Sequence, residues 1–323
     1  MAMSWRLRAL LIFLKMTGAK PFDRMTVAEA RAAVLKAFPK PRRPTPVGDV
    51  SERSIPGPGG ALRVRIYTPP GDGPFPLRVF YHGGGFVAMD LDTHDESCRR
   101  LCRGAACVVV SVAYRLAPEH PFPAATDDAL AAVRWAADHA RSMGADPTRI
   151  AVAGDSAGGN LATVTTLRIR DEGGPALCGQ LLVYPATDAP DPPKPSAVTY
   201  GANPFLTFSE ARWFFAHYAQ DAMHAPTPHL APLRAPDLRS LPPALVITAE
   251  IDVLRDEGEQ YAERLREAGV PVRLVRVEGL MHAMMTMDLA FPETRAIFRE
   301  AAAWLGERFQ EEARADPAQP QQR

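Results

Sequence analysis

Cysteine is scarce in this 323-residue chain: Cys98, Cys102, Cys107 and Cys178 are all it has. So few thiols do not make a disulfide framework, and no Cys-x-x-Cys or His-Glu-x-x-His spacing marks a metal centre. Net charge is missing too. Lys plus Arg number 37 and Asp plus Glu number 37, which excludes a strong electrostatic case for nucleic acid or an anionic membrane as the main partner. Long apolar runs are lacking. Near the start, Ala9 to Leu14 follows Arg6 and Arg8, but Lys15 ends the run and no small-x-small cleavage site follows. That is too short for a membrane span, and it is not read as a signal peptide. No internal repeat is visible. These absences lead to the expectation of a cytoplasmic enzyme or binding protein without a membrane anchor, long enough to bury a sizeable core without staples.

Proline, by contrast, is abundant at 32 residues, about twice the usual ~5%. The prolines cluster between apolar runs and so mark fixed loops. Helices are expected at 4–16 and 26–38, the second opening on Thr26 with Glu29 at capping-box spacing. Pro39, Pro41, Pro44 and Pro46 then form a linker. The runs at 62–67 and 272–277 alternate with period two, as half-buried strands do, the second near a sheet edge. Those at 77–81 and 107–112 look like core strands, and the short, largely apolar runs at 150–153, 181–184 and 245–248 suit strands buried on both faces. Helical patterns at about 94–104, 124–143, 157–171, 256–268 and 288–310 separate them. Strand alternating with helix predicts an α/β fold with a mainly parallel central sheet flanked by helices. Proline is dense over 186–243, interrupted by one amphipathic segment, Ser209 to Tyr218, that contains Trp213, Phe214 and Phe215.

Two glycine-rich motifs carry chemistry. Gly154-Asp155-Ser156-Ala157-Gly158 lies between the strand at 150–153 and a helical run. This is the G-x-S-x-G elbow in the strand–turn–helix context it needs, because a serine on so tight a turn requires small neighbours two residues away on each side. His82-Gly83-Gly84-Gly85 follows the strand at 77–81, and its glycines allow main-chain N–H groups to approach a ligand. Gly83-x-Gly85-x-x-Ala88 also matches a dinucleotide fingerprint. That reading requires an acidic residue at the end of the next strand, where this chain has Tyr114-Arg115. His94, Cys98 and Cys102, spaced by four, suggest a zinc site on one helix face; buried small cysteines explain them more simply.

Together the two motifs resemble the hormone-sensitive-lipase-like, bacterial family IV esterases of the α/β-hydrolase superfamily. The resemblance covers about residues 20–310. It includes Leu91-Asp92-Thr93-His94-Asp95, Tyr114 to Ala125 (YRLAPEHPFPAA) and Leu254-Arg255-Asp256-Glu257-Gly258, and the Asp155 form of the elbow points to the GDSAG subgroup. It implies an α/β-hydrolase core at 47–186 and 227–323, with a helical cap from 1–46 and 187–226. The superfamily's order of Ser, acid, His places the acid after the strand near 244–249, where Glu250 and Asp252 compete. The family motif implies Asp252. His282 is the one histidine that follows the acid. Gly84, Gly85 and Ala157 are the implied oxyanion-hole donors.

The sequence departs from the family at two places: Val253 replaces the usual proline, and His282-Ala283-Met284 replaces His-Gly-Phe. The expected activity is hydrolysis of short- to medium-chain acyl esters through an acyl-enzyme, with no cofactor and no metal. The alternatives are an amidase or deacetylase with the same triad, or a ligand-binding receptor on this scaffold, against which the presence of His282 argues. Phe86, Phe205, Phe208, Trp213, Phe214 and Met284 are candidate substrate-pocket residues, with the aromatic set equally readable as lid core. Glu119 and Asp155 are expected to be structural hydrogen-bond acceptors. A homodimer through the edge near 272–277 is a further expectation.

Overall fold

The structure, a computed structural model, describes residues 20–38, 41–202, 205–287 and 294–315. The expected helix at 4–16 and the first residues of the one at 288–310 lie outside these. The described residues form one eight-stranded sheet. Its strands are β1 (Asp49–Gly57), β2 (Gly60–Thr68), β3 (Phe75–Tyr81), β4 (Val108–Val112), β5 (Ala145–Asp155), β6 (Gly179–Val183), β7 (Ala244–Ile251) and β8 (Val272–Met281). They lie in the order β1-β2-β4-β3-β5-β6-β7-β8. Pairing is parallel from β4 to β8 and antiparallel at β1–β2 and β2–β4. The alternating run at 272–277 is indeed an edge strand. β1 was not expected: as the opposite edge it buries only Ile55, so its residues carry no apolar alternation.

Alternate residues of the central strands feed two cores. Leu77, Val79, Val110, Val152 and Val246 face α3 (Ala124–Asp138), α4 (Ala157–Glu172) and α7 (Arg255–Glu267). Phe80, Val109, Ala153, Leu181 and Ile247 face α2 (Asp95–Ala105) and α8 (Thr294–Ala315). This is why β4 and β6 read as continuous apolar runs. The helix expected over 124–143 is shorter. α3 stops at Asp138, where the His139 imidazole bonds the carbonyl of Trp135 at 2.9 Å, and a 3₁₀ turn, Ala140–Met143, completes the stretch.

Two segments lie outside the sheet and its flanking helices, the second of them packing Tyr218 and Ala219 into the first core. One is α1 (Val27–Ala37), whose capping box joins Glu29 N–H to Thr26 Oγ1 at 3.2 Å and Thr26 N–H to Glu29 Oε2 at 2.7 Å. The other is an excursion between β6 and β7 that carries α5 (Pro195–Tyr200) and α6 (Phe208–Ala219). Its ends meet: Leu233 N–H donates to the Thr187 carbonyl at 2.7 Å. The Asn160 amide of α4 reaches the carbonyls of Ala186 and Leu230 at 2.9 and 3.1 Å. The buried carboxyl of Glu210 on α6 accepts the Phe22 N–H at 2.9 Å and thereby ties the two segments together.

Candidate active site

β5 ends at Asp155 and α4 begins at Ala157, leaving Ser156 alone on the turn with φ 56° and ψ −120°. A non-glycine residue holds such a conformation only where its surroundings enforce it. Here they do. A Cβ on Gly154 would lie 2.1 Å from the Gly158 carbonyl oxygen, and one on Gly158 would lie 2.0 Å from that of Tyr81. The turn is therefore closed around two positions that accept only glycine, and the serine hydroxyl is presented above the sheet.

Two further strands, β7 and β8, end beside it. Asp252 follows β7 and His282 follows β8; both are buried. His282 Nδ1 is 2.8 Å from Asp252 Oδ2, and His282 Nε2 is 2.9 Å from Ser156 Oγ. The other Asp252 oxygen accepts the Leu254 N–H at 2.9 Å, and the Tyr184 ring packs 4.7 Å from the imidazole. Glu250 faces elsewhere. Its carboxylate accepts the Gly279 N–H at 2.6 Å, and that amide holds it below the usual carboxyl range. The line hydroxyl–imidazole–carboxylate is an arrangement that can take a proton from Ser156 and stabilise the resulting charge.

The loop after β3 supplies main-chain donors. Gly84 and Gly85 have φ of 113° and 61°. A Cβ on Gly84 would strike the Ala88 carbonyl oxygen at 2.1 Å, and one on Gly85 would strike the Phe214 ring at 2.3 Å. Among the described residues no backbone acceptor engages the amides of Gly84 or Gly85, and Ala157, as the first helical residue, has no acceptor within its helix. His82 braces the loop: its Nδ1 lies 2.7 Å from the Gly83 carbonyl, and its ring stacks on Tyr114 at 4.3 Å. Burial, reinforced by nearby His94, pushes the His82 pKa down to about 4, so this ring is neutral at physiological pH.

The aromatic candidates are distributed. Phe214 lies against Gly85, with the Phe22 ring 5.6 Å away. Phe208 and Trp213 line a cavity of about 610 Å³ together with Asp23, Asp191, Arg212 and Met223; Ser156 and His282 are not among its walls. Phe86 stacks on Tyr218 at 3.7 Å within the core. Met284, two residues after His282, is buried in the second apolar cluster, and Phe205 packs against that cluster. Ala283 has φ 61°, a conformation glycine takes at less cost, which accounts for the family's glycine at this place.

The contacts of Asp155 were not readable from the motif. One oxygen accepts the Gly83 N–H at 3.0 Å, and His94 Nε2 lies 3.2 Å from the carboxylate. The other nitrogen of His94 faces Thr93 Oγ1 at 3.0 Å, so this histidine is not turned to the cysteines. All four cysteines are buried and unpaired. Burial pushes the Cys98 thiol up to about 12. Glu119 accepts a two-pronged bond from Arg31 of α1, whose Nε and Nη2 also reach the carbonyls of Val87 and Ala117. No local sequence signal announces a contact spanning 88 positions.

Residues 78–286 match the model of a family described as alpha/beta hydrolase fold. Esterase LipI of Mycobacterium tuberculosis is 46% identical over 277 residues, 84% of this chain and 86% of that protein. An ethyl acetate hydrolase of Pseudomonas putida is 40% identical over 241 residues, 73% of this chain and 75% of that one. Among solved structures, a thermostable esterase from Pseudomonas putida superposes with a TM-score of 0.91 at 37% identity, over 95% of this chain and 98% of the other. A hyperthermophilic esterase from Pyrobaculum calidifontis does so at 0.89 and 41%, over 95% and 99%.

Proposed function

Because the chain belongs to the α/β-hydrolase-fold family, in its hormone-sensitive-lipase-like branch, we propose that it hydrolyses carboxylic esters with Ser156 as nucleophile, His282 as general base and Asp252 as the acid that orients the imidazole. The observation that carries this reading is the unbroken hydrogen-bonded line from Ser156 through His282 to Asp252.

Ser156 Oγ attacks the ester carbonyl while His282 Nε2 takes its proton. The carbonyl oxygen becomes an oxyanion facing the amides of Gly84, Gly85 and Ala157; one such donor typically contributes ~3 kcal/mol to lowering the barrier. Asp252 holds Nδ1–H and stabilises the imidazolium. As the tetrahedral species collapses, His282 returns the proton to the departing alkoxide and an acyl-serine remains. Water, deprotonated by the same imidazole, then releases the acid and restores the hydroxyl.

The segments 1–46 and 187–226 are assigned to a cap, supported by the Glu210–Phe22 tie and by Phe214 lying on the oxyanion loop. Under such a roof the acyl group is short to medium, with a broad optimum around four to six carbons, since Met284 is an adaptable wall where the family's phenylalanine is a rigid one. The elbow's Asp155 supports membership of the GDSAG subgroup. Four unpaired cysteines suit the cytoplasm; among the described residues no helix is long and apolar enough to cross a membrane. The edge strand β8 is where a second copy would pair.

Ser156→Ala tests the reading. Esterase activity on nitrophenyl butyrate should fall by several orders of magnitude with the fold intact. A serine-reactive organophosphate should add its mass to the Ser156 peptide of the unmodified protein. A fully active variant, or an adduct on another serine, would refute the assignment.

A further inference from the structure

A second imidazole–carboxylate pair flanks Ser156, and the mechanism above does not use it. Asp155 precedes the nucleophile and is buried. It accepts the Gly83 N–H, and Tyr184 Oη stands 3.5 Å from its second oxygen. The same Tyr184 oxygen accepts the Met285 N–H at 3.2 Å, in the turn that follows His282. Burial by itself would raise the Asp155 carboxyl. The facing His94, by charge and hydrogen bond, and the Gly83 amide outweigh it and hold the group below its usual range. A fixed negative charge thus lies beside the loop that must receive an oxyanion.

The hydrogen bonds of His94 show what offsets it. Nε2 faces a carboxylate, so it must donate. Nδ1 faces Thr93 Oγ1 at 3.0 Å, but that hydroxyl spends its one proton on the Asp90 carbonyl at 2.8 Å and also accepts the Asp90 N–H at 3.0 Å. For every one of these contacts to be a hydrogen bond, Nδ1 must donate as well. His94 then carries two protons and a positive charge. The adjacent His82 ring, 5.6 Å away, is neutral and adds none.

Resting on the ester-hydrolase reading above, we propose that Asp155 and imidazolium His94 form a buried ion pair of positioning residues. Asp155 fixes the Gly83 peptide so that the next two amides face the oxyanion, and His94 cancels the charge that would otherwise repel it. An uncompensated buried charge is costly, whereas the neutral pair is tolerated.

The test is a double-mutant cycle on the full chain. His94→Gln keeps a donor to Asp155 but removes the charge. It should lower kcat on nitrophenyl butyrate by about 10- to 100-fold, leave KM within threefold, and weaken phenylboronic acid, which forms a tetrahedral serine adduct, by the same factor as kcat. Asp155→Asn keeps an acceptor for Gly83. Added to His94→Gln, it should restore about tenfold or more of the lost kcat. A kcat for His94→Gln equal to that of the unmodified protein, or a double variant no faster than His94→Gln, would overturn the proposal. If His94→Gln does not fold, the unmodified protein decides: histidine ¹⁵N resonances should show both His94 nitrogens protonated, and one unprotonated nitrogen would overturn it. Organophosphate labelling separates the two readings, because a protein not labelled at Ser156 contradicts the ester-hydrolase reading, whereas labelled variants with unchanged kcat contradict only this one.

Discussion

The sheet and the excursion come together where Phe214 lies against Gly85, yet different forces hold them. Ser156, Asp252 and His282 each stand one residue beyond a strand whose ladder continues into the centre of the molecule, and the two side chains that flank the serine are buried. The N-terminal segment and the excursion have no such ladder among the described residues; they are held by apolar packing, as of Tyr218 on Phe86, and by a few ties: the Arg31 fork, Glu210 on Phe22, and Glu257 beneath Thr187. Groups fixed by many backbone bonds keep their geometry when one neighbour changes, and groups fixed by single side chains do not. Chemistry here should therefore be sensitive to a handful of residues and indifferent to the excursion, while substrate choice should follow the ties.

The strongest way to break this contrast lies on the sheet side. Asp252→Asn should reduce kcat by as much as ~10⁴, the loss seen when a comparable triad loses its anion. Glu250→Gln, two residues away, should cost tenfold or less, because that carboxylate binds the Gly279 amide while Asp252 binds His282. Steady-state kinetics of the two variants decide it, and the reverse ranking would make Glu250 the acid.

At the foot of the excursion, Glu257 accepts the N–H groups of Thr187 and Asp188 at 2.8 and 3.3 Å. Burial pushes its pKa from 4.5 up to about 8, with Asp188 adding to the shift against the pull of the Thr187 amide. The folded chain thus keeps this proton after the unfolded chain has released it. Below about pH 4.5 the group costs nothing, and between there and about pH 8 it progressively subtracts stability, on the order of 3–5 kcal/mol in all. Glu257→Gln retains the acceptor and removes the titration. Urea midpoints at pH 5 and 8.5 should show the variant gaining on the unmodified protein as pH rises; a constant difference would contradict this.

Arg31→Ala should cost about 1–2 kcal/mol, mostly from the two partly buried carbonyls that lose their donor, since the exposed Glu119 contributes little. KM for nitrophenyl hexanoate should rise several-fold while kcat on the acetate stays within threefold. An equal loss of kcat on both esters would show that the N-terminal segment shapes the reacting groups themselves. The smallest effect is expected at Ala283→Gly, which relieves a left-handed alanine and should raise stability by at most ~1 kcal/mol, measured as a small increase in Tm.

What was legible in the sequence follows from the range of the interactions involved. The elbow could be read because the steric demand at Gly154, set by the Gly158 carbonyl, acts within the turn itself, and the α1 capping box because Thr26 and Glu29 are three apart; the demand at Gly158 comes from Tyr81 on another strand. The buried parallel strands announced themselves as unbroken apolar runs. β1 did not, since an edge with one buried residue has no pattern to show. Nor could the division of labour between Glu250 and Asp252 be read from spacing. It depends on Gly279 and His282, which arrive from another strand. The pairing of Asp155 with His94, 61 positions apart, and of Arg31 with Glu119 are products of the folded arrangement alone.

The clasped ends of the excursion have a consequence for what this scaffold can become. Thr187 and Leu233 are bonded to each other, and Asn160 grips Ala186 and Leu230 from below, so the chain leaves the sheet and returns to it through one anchored neck. Once a neck is fixed, doubling the length of what hangs from it costs only about 0.6 kcal/mol of closure entropy. Segments of different length or composition can be exchanged above that neck with β6 and β7 left in register, and the molecule can acquire a new appetite without relearning its chemistry.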